Sequence, residues 1–239
     1  MPSVSTLPDS TLSVSIVIPV LNERAIVSAA VQRALDSGAD EVIVADGGSD
    51  DGSWQAVQGL DCRAVQCGRG RGTQLNAGAR AASGDVLMFL HADNRLASDG
   101  VAQIRDCLSD GTILAGAFRQ RIQHTGRIYR LIEAANARRA SRRGMAYGDQ
   151  GVFMRREVFE QLGGFDDVPV MEDVLLMRKF RRCGRLALLR GPLYISPRRW
   201  QRHGVLRQTL RNRALLIGLR LGVSPQRLAS WYPTHRHEE

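Results

Sequence analysis

The sequence predicts an α/β fold: a mostly parallel sheet flanked by helices, with a basic amphipathic helix near the C-terminus. Three observations lead there. Short apolar runs alternate with segments of helical periodicity through the first hundred residues, the pattern of strand–helix–strand units. Three of those runs end in polar or acidic residues: Ser15 to Val20 leads into Asn22-Glu23, Glu41 to Ala45 into Asp46, and Val86 to Leu90 into His91-Ala92-Asp93. Further on, residues 203–221 set arginines among apolar residues at helical spacing. Ligands of open α/β sheets bind beyond the carboxyl ends of the strands. Acids gathered on that rim suit a metal-bound, phosphorylated, hydroxyl-rich ligand.

The elements follow in order. After the strand at 15–20, Glu23 to Asp36 carries Ala25, Val27, Ala30, Val31, Ala34 and Leu35 at helical spacing and stops near Gly38. The strand at 41–45 opens into Gly47-Gly48-Ser49-Asp50-Asp51-Gly52, a turn whose Ser49 or Asp51 can cap the helix holding Trp54 and Val57. A short strand near 63–66, a Gly/Arg loop at 68–72 and a helix at about 73–82 come next, then the strand at 86–90 and a helix from Ser98 to Leu108. Beyond this βαβαβαβ series the pattern changes. Thr112 to Ile122 reads as extended, Ile128 to Arg143 as a basic helix, and Gly151 to Met154 as a short strand. Two short helices, Glu157–Leu162 and Glu172–Arg182, end at Gly163-Gly164 and Gly184. Short strands near 186–189 and 193–196 precede the helix at 203–221, whose apolar side is read as Val205, Leu206, Leu210, Ala214, Leu215 and Ile217. The expected division is one domain over 13–197, in halves 13–110 and 111–197, followed by the helix and tail at 198–239.

With 239 residues the chain can bury a sizeable core, and its 44% hydrophobic and 24% charged content are those of a globular protein. Cys62, Cys67, Cys107 and Cys183 have neither zinc-site nor paired spacing, so a reducing cytoplasm is expected. Met1 to Ser13 lacks a basic segment followed by an apolar one, and no apolar run has bilayer-spanning length, so neither a signal peptide nor a membrane span is expected. The net charge of +9 is gathered in arginine clusters of the second half. That asymmetry suits an anionic partner, although a single basic run is usually a solvated helix face.

Several residues can carry chemistry. Asp46 at a strand end can accept hydrogen bonds from a base or ribose, or simply start the following turn; Glu23 on the neighbouring strand end favours ligand contact. Asp93 closes a strand too apolar to face water, and one carboxylate suffices for Mg2+ or Mn2+ when a diphosphate completes the shell. His91 lies on the same side of that strand and could contact the metal or diphosphate, or equally be buried against the sheet edge, and Asp93-Asn94 could instead form only an N-cap or turn. Gly68-Arg69-Gly70-Arg71-Gly72-Thr73 opens a helix and could cradle an anion, though it matches neither a Walker loop nor a dinucleotide fingerprint. Glu172-Asp173 opens another helix, where acids complement the dipole or where Asp173 serves as a general base. Tyr147-Gly148-Asp149-Gln150 forms a second polar cluster able to bind sugar hydroxyls. Spacing alone does not choose between Asp173 and Asp149 as the base.

Taken together, Ser15 to Glu23, Asp46 to Gly52, Asn76-Ala77-Gly78, Gly84 to Asp93, Gly151 to Arg156, Gly163-Gly164-Phe165 and Glu172-Asp173 resemble the family-2 glycosyltransferases. These are inverting nucleotide-sugar enzymes of GT-A fold. The resemblance runs over roughly residues 13 to 185. It implies that Pro19, Asn22, Glu23 and Asp46 line a nucleoside pocket with Arg71 and Asn76 along it, and that the first half binds nucleotide and the second the acceptor. It further implies that Asp93 holds a divalent metal, Mn2+ or Mg2+, that Asp173 is the catalytic base, and that the donor is a nucleotide-diphosphate sugar. His91 stands where the family's metal motif has its first aspartate. His91-Ala92-Asp93 and Tyr147 to Gln150 are similar to a radical-SAM-associated branch linked to arsenosugar biosynthesis. The implied partners are the nucleotide sugar and a small-molecule or lipid-linked acceptor; an anionic membrane surface is expected instead from the arginines and apolar stripe of the 203–221 helix, which could equally pack on its own domain or on a second subunit. The chain is thus read as cytoplasmic or peripheral on the inner face of the cell membrane.

Two rivals remain in the sequence. A sugar-phosphate nucleotidyltransferase would carry a Gly70-Arg71-Gly72-Thr73-like loop directly after the first strand, where Leu21-Asn22-Glu23-Arg24 stands instead. A non-catalytic basic protein binding nucleic acid or membrane would exploit the arginines. Only 5% aromatic residues and no reader module speak against nucleic acid, while the 203–221 helix suits an interfacial surface or packing on its own domain.

Overall fold

The computed structural model describes residues 12–109 and 111–231; the expectations for 1–11 and 232–239 lie outside the described residues. Strands β1 (Val14–Val20), β2 (Glu41–Asp46), β3 (Arg63–Gln66) and β4 (Val86–Phe89) pair in parallel in the order β3-β2-β1-β4. Helices α1 (Val27–Asp36), α2 (Ser53–Ala56) and α3 (Arg71–Ala81) connect them. The sheet continues through β7 (Phe153–Arg155), β6 (Ala115–Ile122), β8 (Leu186–Ile195) and the two-residue β5 (Arg95–Leu96), giving β3-β2-β1-β4-β7-β6-β8-β5. β7 is antiparallel to both β4 and β6, so the parallel half is joined to a mixed second half. The mostly parallel sheet flanked by helices is the GT-A architecture expected from the sequence.

Two-residue periodicity sends the strand side chains to opposite faces. Ile16, Ile18, Val42 and Val44 pack with Val27, Val31 and Ala34 of α1 and with Val101, Ile104 and Leu108 of α4 (Gly100–Ser109). Val17 and Ile43 join Leu75 and Ala79 of α3 on the other face. That second core also takes Phe159 of α6 (Arg156–Gln161), Leu176, Met177 and Phe180 of α7 (Glu172–Phe180), and Ala140 of α5 (Arg127–Arg143).

The crevice arises at the switch point. β2 and β3 lie on one side of β1 and β4 on the other, so successive crossovers leave in opposite directions. β1 pairs with β4 only as far as Val17 opposite Phe89, with Leu90 N–H adding one bond to Val17 O. Two residues on, Pro19 has no N–H with which to continue, and the strands part.

Three expectations need correction. The strands near 186–189 and 193–196 are one strand, β8, because both halves pair with β6 across an irregularity between Phe118 and Gln120. The helix at 203–221 is instead α8 (Arg198–His203) and α9 (Val205–Arg220), parted at Gly204 (φ 77°, ψ 140°), with α10 (Pro225–Ala229) beyond. The apolar side expected of that helix is also split. Leu215 and Leu219 are buried in the second core, whereas Leu206, Leu210 and Ile217 are exposed on the opposite side.

Candidate active site

The loops leaving β1 and β2 are sewn together. Asn22 N–H donates to Ser49 Oγ (2.9 Å), Asp50 N–H to Asn22 Oδ1 (3.0 Å), Glu23 N–H to Ser53 Oγ (2.8 Å) and Arg24 N–H to Asp51 Oδ2 (2.9 Å). Asn22 takes a left-handed φ of 55°, which asparagine tolerates because its short side chain bonds locally. Beneath these loops, buried Gln74 of α3 donates to Val20 O (2.6 Å) and Ala45 O (3.1 Å), pinning the two strand ends to one another. Gln74 had no sequence signal; a lone glutamine in a helix declares nothing.

Asp46 is only 1% exposed. Its carboxylate accepts from Gly48 N–H (3.1 Å), Ser49 N–H (3.0 Å) and Ser49 Oγ (2.5 Å), so in this structure it builds the turn of its own loop. An open hollow beside that turn is lined by Arg24, Ser49, Asp50, Asp51, Gly52 and Gln55. The turn-forming reading of Asp46 is therefore the one whose contacts are observed.

A second, narrow hollow lies between the end of β4 and the start of α7. Arg71, His91, Gly148, Glu172 and Asp173 line it, over apolar walls that include Phe89, Phe165 and Met177. The N-terminus of α3 sets Arg71 there by close packing. At Gly72 a Cβ would sit 2.7 Å from Asp166 O, so only glycine lets the helix approach the 165–167 loop. Thr73 Oγ1 bonds Asp167 Oδ1 (2.9 Å). Asn76 donates to Phe165 O (2.9 Å) and accepts from Phe165 N–H (2.9 Å), which makes it a clasp on that loop; it is not among the residues lining either hollow. Much of the glycine-rich loop is thus explained by packing.

Asp173 stands in the first turn of α7, where two main-chain N–H groups hold its carboxylate. Gly148 N–H donates to Oδ2 (2.6 Å) and Val174 N–H to Oδ1 (2.7 Å). Met171, just before the helix, has φ 72°, a costly angle for a non-glycine side chain. That angle aims Glu172 and Asp173 at the hollow. A Cβ on Gly148 would lie 3.3 Å from both Asp173 Oδ2 and His91 Nε2, so a side chain there would crowd both groups.

Gly148 belongs to a 3-10 turn, Gly148–Gln150, supported from behind by α5. Arg139 donates to Met145 O (3.0 Å), Asn136 Oδ1 (2.8 Å) and Gln150 Oε1 (2.6 Å), and its guanidinium lies 3.7 Å from the Tyr147 ring centre. Asn136 donates to Gln120 Oε1, and Gln120 donates to Asp149 O. Burial pulls the Arg139 pKa down, and the nearby Asp149, Tyr147 and Asp173 work against that. Asp149 Oδ1 and Gln150 Nε2 are buried with no hydrogen-bond partner among the described residues, an acceptor and a donor in the turn that also carries Gly148.

Glu172 is 4% exposed, and its carboxyl is pushed up from an ordinary 4.5 to about 7. Burial is the main cause, the Asp173 charge adds to it, and Arg71 at 3.6 Å opposes it. Between pH 4.5 and 7 the folded chain therefore holds a proton that the unfolded chain has released. Stability falls as pH rises through this window. Glu172→Gln is expected to flatten that slope in urea titrations run from pH 4.5 to 8. An unchanged slope would show that Glu172 is not the group responsible.

Asp93, just beyond β4, has Arg198 Nη2 3.7 Å from its Oδ2, an ion pair that joins the start of α8 to the rim. Among the described residues no three His, Cys, Asp or Glu side chains cluster as a metal cage. The donor set fits a hard divalent cation only as one carboxylate, with His91 nearby and substrate oxygens completing the shell. Glu23, Asp46 and Asp93 follow the ends of the parallel strands β1, β2 and β4, but of the four candidate acids only Asp173 lines the hollow described above, and Pro19, Asn22 and Asp149 do not line it either.

This mostly parallel sheet with its flanking helices is the GT-A class of α/β fold. Residues 15–163 match the model of glycosyl transferase family 2, and the chain belongs to that family. A search of curated proteins found no match. Among solved structures, the mannosyltransferase PcManGT of Pyrobaculum calidifontis, in complex with GDP-Man and Mn2+, superposes with a TM-score of 0.67 at 20% identity, over 87% of this chain and 62% of that one. TarS 1-349 of S. aureus with UDP-GlcNAc gives 0.61 at 14% identity, over 77% and 58%. Glucosyl-3-phosphoglycerate synthase of Mycobacterium tuberculosis, with Mn2+, UDP and glucosyl-3-phosphoglycerate, gives 0.53 at 23% identity, over 77% and 71%. The chain therefore spans about 62% of PcManGT.

Proposed function

We propose that the chain transfers a sugar from a nucleotide-diphosphate sugar to a hydroxyl acceptor with inversion at the anomeric carbon. The observation that carries this is Asp173, held by two N–H groups at the mouth of a hollow shared with Arg71 and His91. Asp173 takes the proton of the acceptor hydroxyl. The acceptor oxygen bonds to the anomeric carbon as the bond to the diphosphate oxygen breaks, and attack from the far face inverts the centre. Gly148 N–H keeps Asp173 Oδ2 fixed, and Arg71 offers positive charge to the departing phosphate. Asp93, with His91 beside it, would hold a divalent ion, which supplies charge neutralisation for the diphosphate. Pro19, Asn22, Glu23 and Asp46 form the nucleoside side of this reading. Asp149 and Gln150 bring hydrogen-bonding capacity to the acceptor side.

The family membership, and the GDP-Man, Mn2+ and UDP-GlcNAc held by the similar structures, support the donor class. The narrower arsenosugar branch rests on His91-Ala92-Asp93 and Tyr147 to Gln150 alone. A small-molecule or lipid-linked acceptor and a cytoplasmic, membrane-peripheral location belong to the same reading; among the described residues no helix is long and apolar enough to cross a membrane.

Thermal melts with nucleotide sugars test the reading. A ligand at a hundred times its Kd stabilises by about 2.7 kcal/mol, a rise of roughly 5–10 °C for a chain of this size. The rise is expected with one nucleoside class and Mn2+, and EDTA should abolish it together with turnover. No rise with any nucleotide sugar would overturn the function, and undiminished turnover in EDTA would remove the metal from Asp93.

A further inference from the structure

Helix α9 has a second apolar face. At 100° per residue Leu206, Leu210 and Ile217 fall within about 40° of one another, and Leu221 at the helix end prolongs the row. They are 72%, 65%, 54% and 79% exposed. The row lies opposite Leu215 and Leu219, which attach the helix to the second core. Attachment to its own domain therefore accounts for one face of α9 and leaves the other in water, where large apolar side chains are disfavoured.

Charge identifies what meets that face. No aspartate or glutamate occurs between Asp173 and Glu238. Arg202, Arg207, Arg213, Arg220 and Arg227 are exposed, and the helical angle puts Arg213 and Arg220 within about 40° of Leu206. A nucleic acid would use these arginines but leave the leucines in water. A second copy would cover the leucines but set two arginine-rich faces against each other. A surface that is apolar beneath and phosphate-bearing on top satisfies both.

We propose that this face docks on anionic phospholipid, with α9 lying in the interface plane, its leucine row in the acyl boundary and its arginines on the headgroup phosphates. The proposal deepens the peripheral location above and rests on that reading, not on the assignment of the base. It also brings the lipid close to the site, because α8, which leads into α9, begins at the ion pair of Arg198 with Asp93.

Sedimentation of the full chain with phosphatidylcholine vesicles, with and without about 30% phosphatidylglycerol, tests this at low and high salt. Binding is expected on the anionic vesicles and is weakened by salt. The variant Leu206→Ser/Leu210→Ser/Ile217→Ser should lose at least about tenfold in partitioning while keeping its circular dichroism, its melting point and its response to nucleotide sugars. Arg207→Gln/Arg213→Gln/Arg220→Gln should lose the preference for anionic lipid. The proposal fails if the wild type ignores anionic vesicles, or if the leucine variant binds them equally well. It also fails if the row proves to hold a dimer that the serines dissolve, or if single-stranded RNA binds more tightly than lipid. The melts with nucleotide sugars report separately on the catalytic reading.

Discussion

Asp173→Asn is expected to lower sugar transfer by about 10²–10⁴-fold while nucleotide-sugar binding is retained. Asparagine keeps the shape of the side chain, and its carbonyl can still accept from Gly148 N–H, the bond that measures 2.6 Å to Asp173 Oδ2. What it cannot do is take a proton. The loss should therefore fall on kcat, with the thermal shift by donor unchanged. Transfer at near wild-type rate in the asparagine variant would move the base elsewhere, and Asp149, within the turn that carries Gly148, would be the first residue to examine.

Arg139→Met is expected to cost about 3 kcal/mol of stability and most of the activity. The substitution leaves Met145 O, Asn136 Oδ1 and Gln150 Oε1 without their guanidinium donor inside the protein. Each buried acceptor so abandoned costs about 1–3 kcal/mol, offset in part by relief from burying a charge. The damage reaches the site through Gln150, because the turn Gly148–Gln150 carries the N–H that fixes Asp173. Urea unfolding of Arg139→Met beside the exposed control Arg213→Met would measure it. A difference below about 0.5 kcal/mol would show that the network is not a support of the fold.

The alternating first half was legible because a strand or helix buried on a sheet writes its period into neighbouring residues. β1 to β4, α1, α3 and α4 all carry that local signal, and the family resemblance adds the order of the motifs. The second half was less readable. β8 looked like two strands because Arg190-Gly191-Pro192 interrupts its apolar pattern, and only pairing with β6 along both halves shows its continuity. In α9 the residues expected on one apolar side divide between a buried and an exposed face. An apolar residue looks the same in sequence whether it meets a core or is left in water.

The sequence by itself determined a parallel α/β half, acids at three strand ends, and Glu172-Asp173 at the start of a helix. Tertiary structure alone decided how those acids are engaged. Asp46 folds into its own turn, Asp93 meets Arg198 from more than a hundred residues away, and Asp173 is braced by Gly148 with Arg139 behind it. The physical reason is range. Periodicity and capping act over a few residues along the chain, whereas a carboxylate's partners are set by distance in space, which depends on how the whole sheet is ordered.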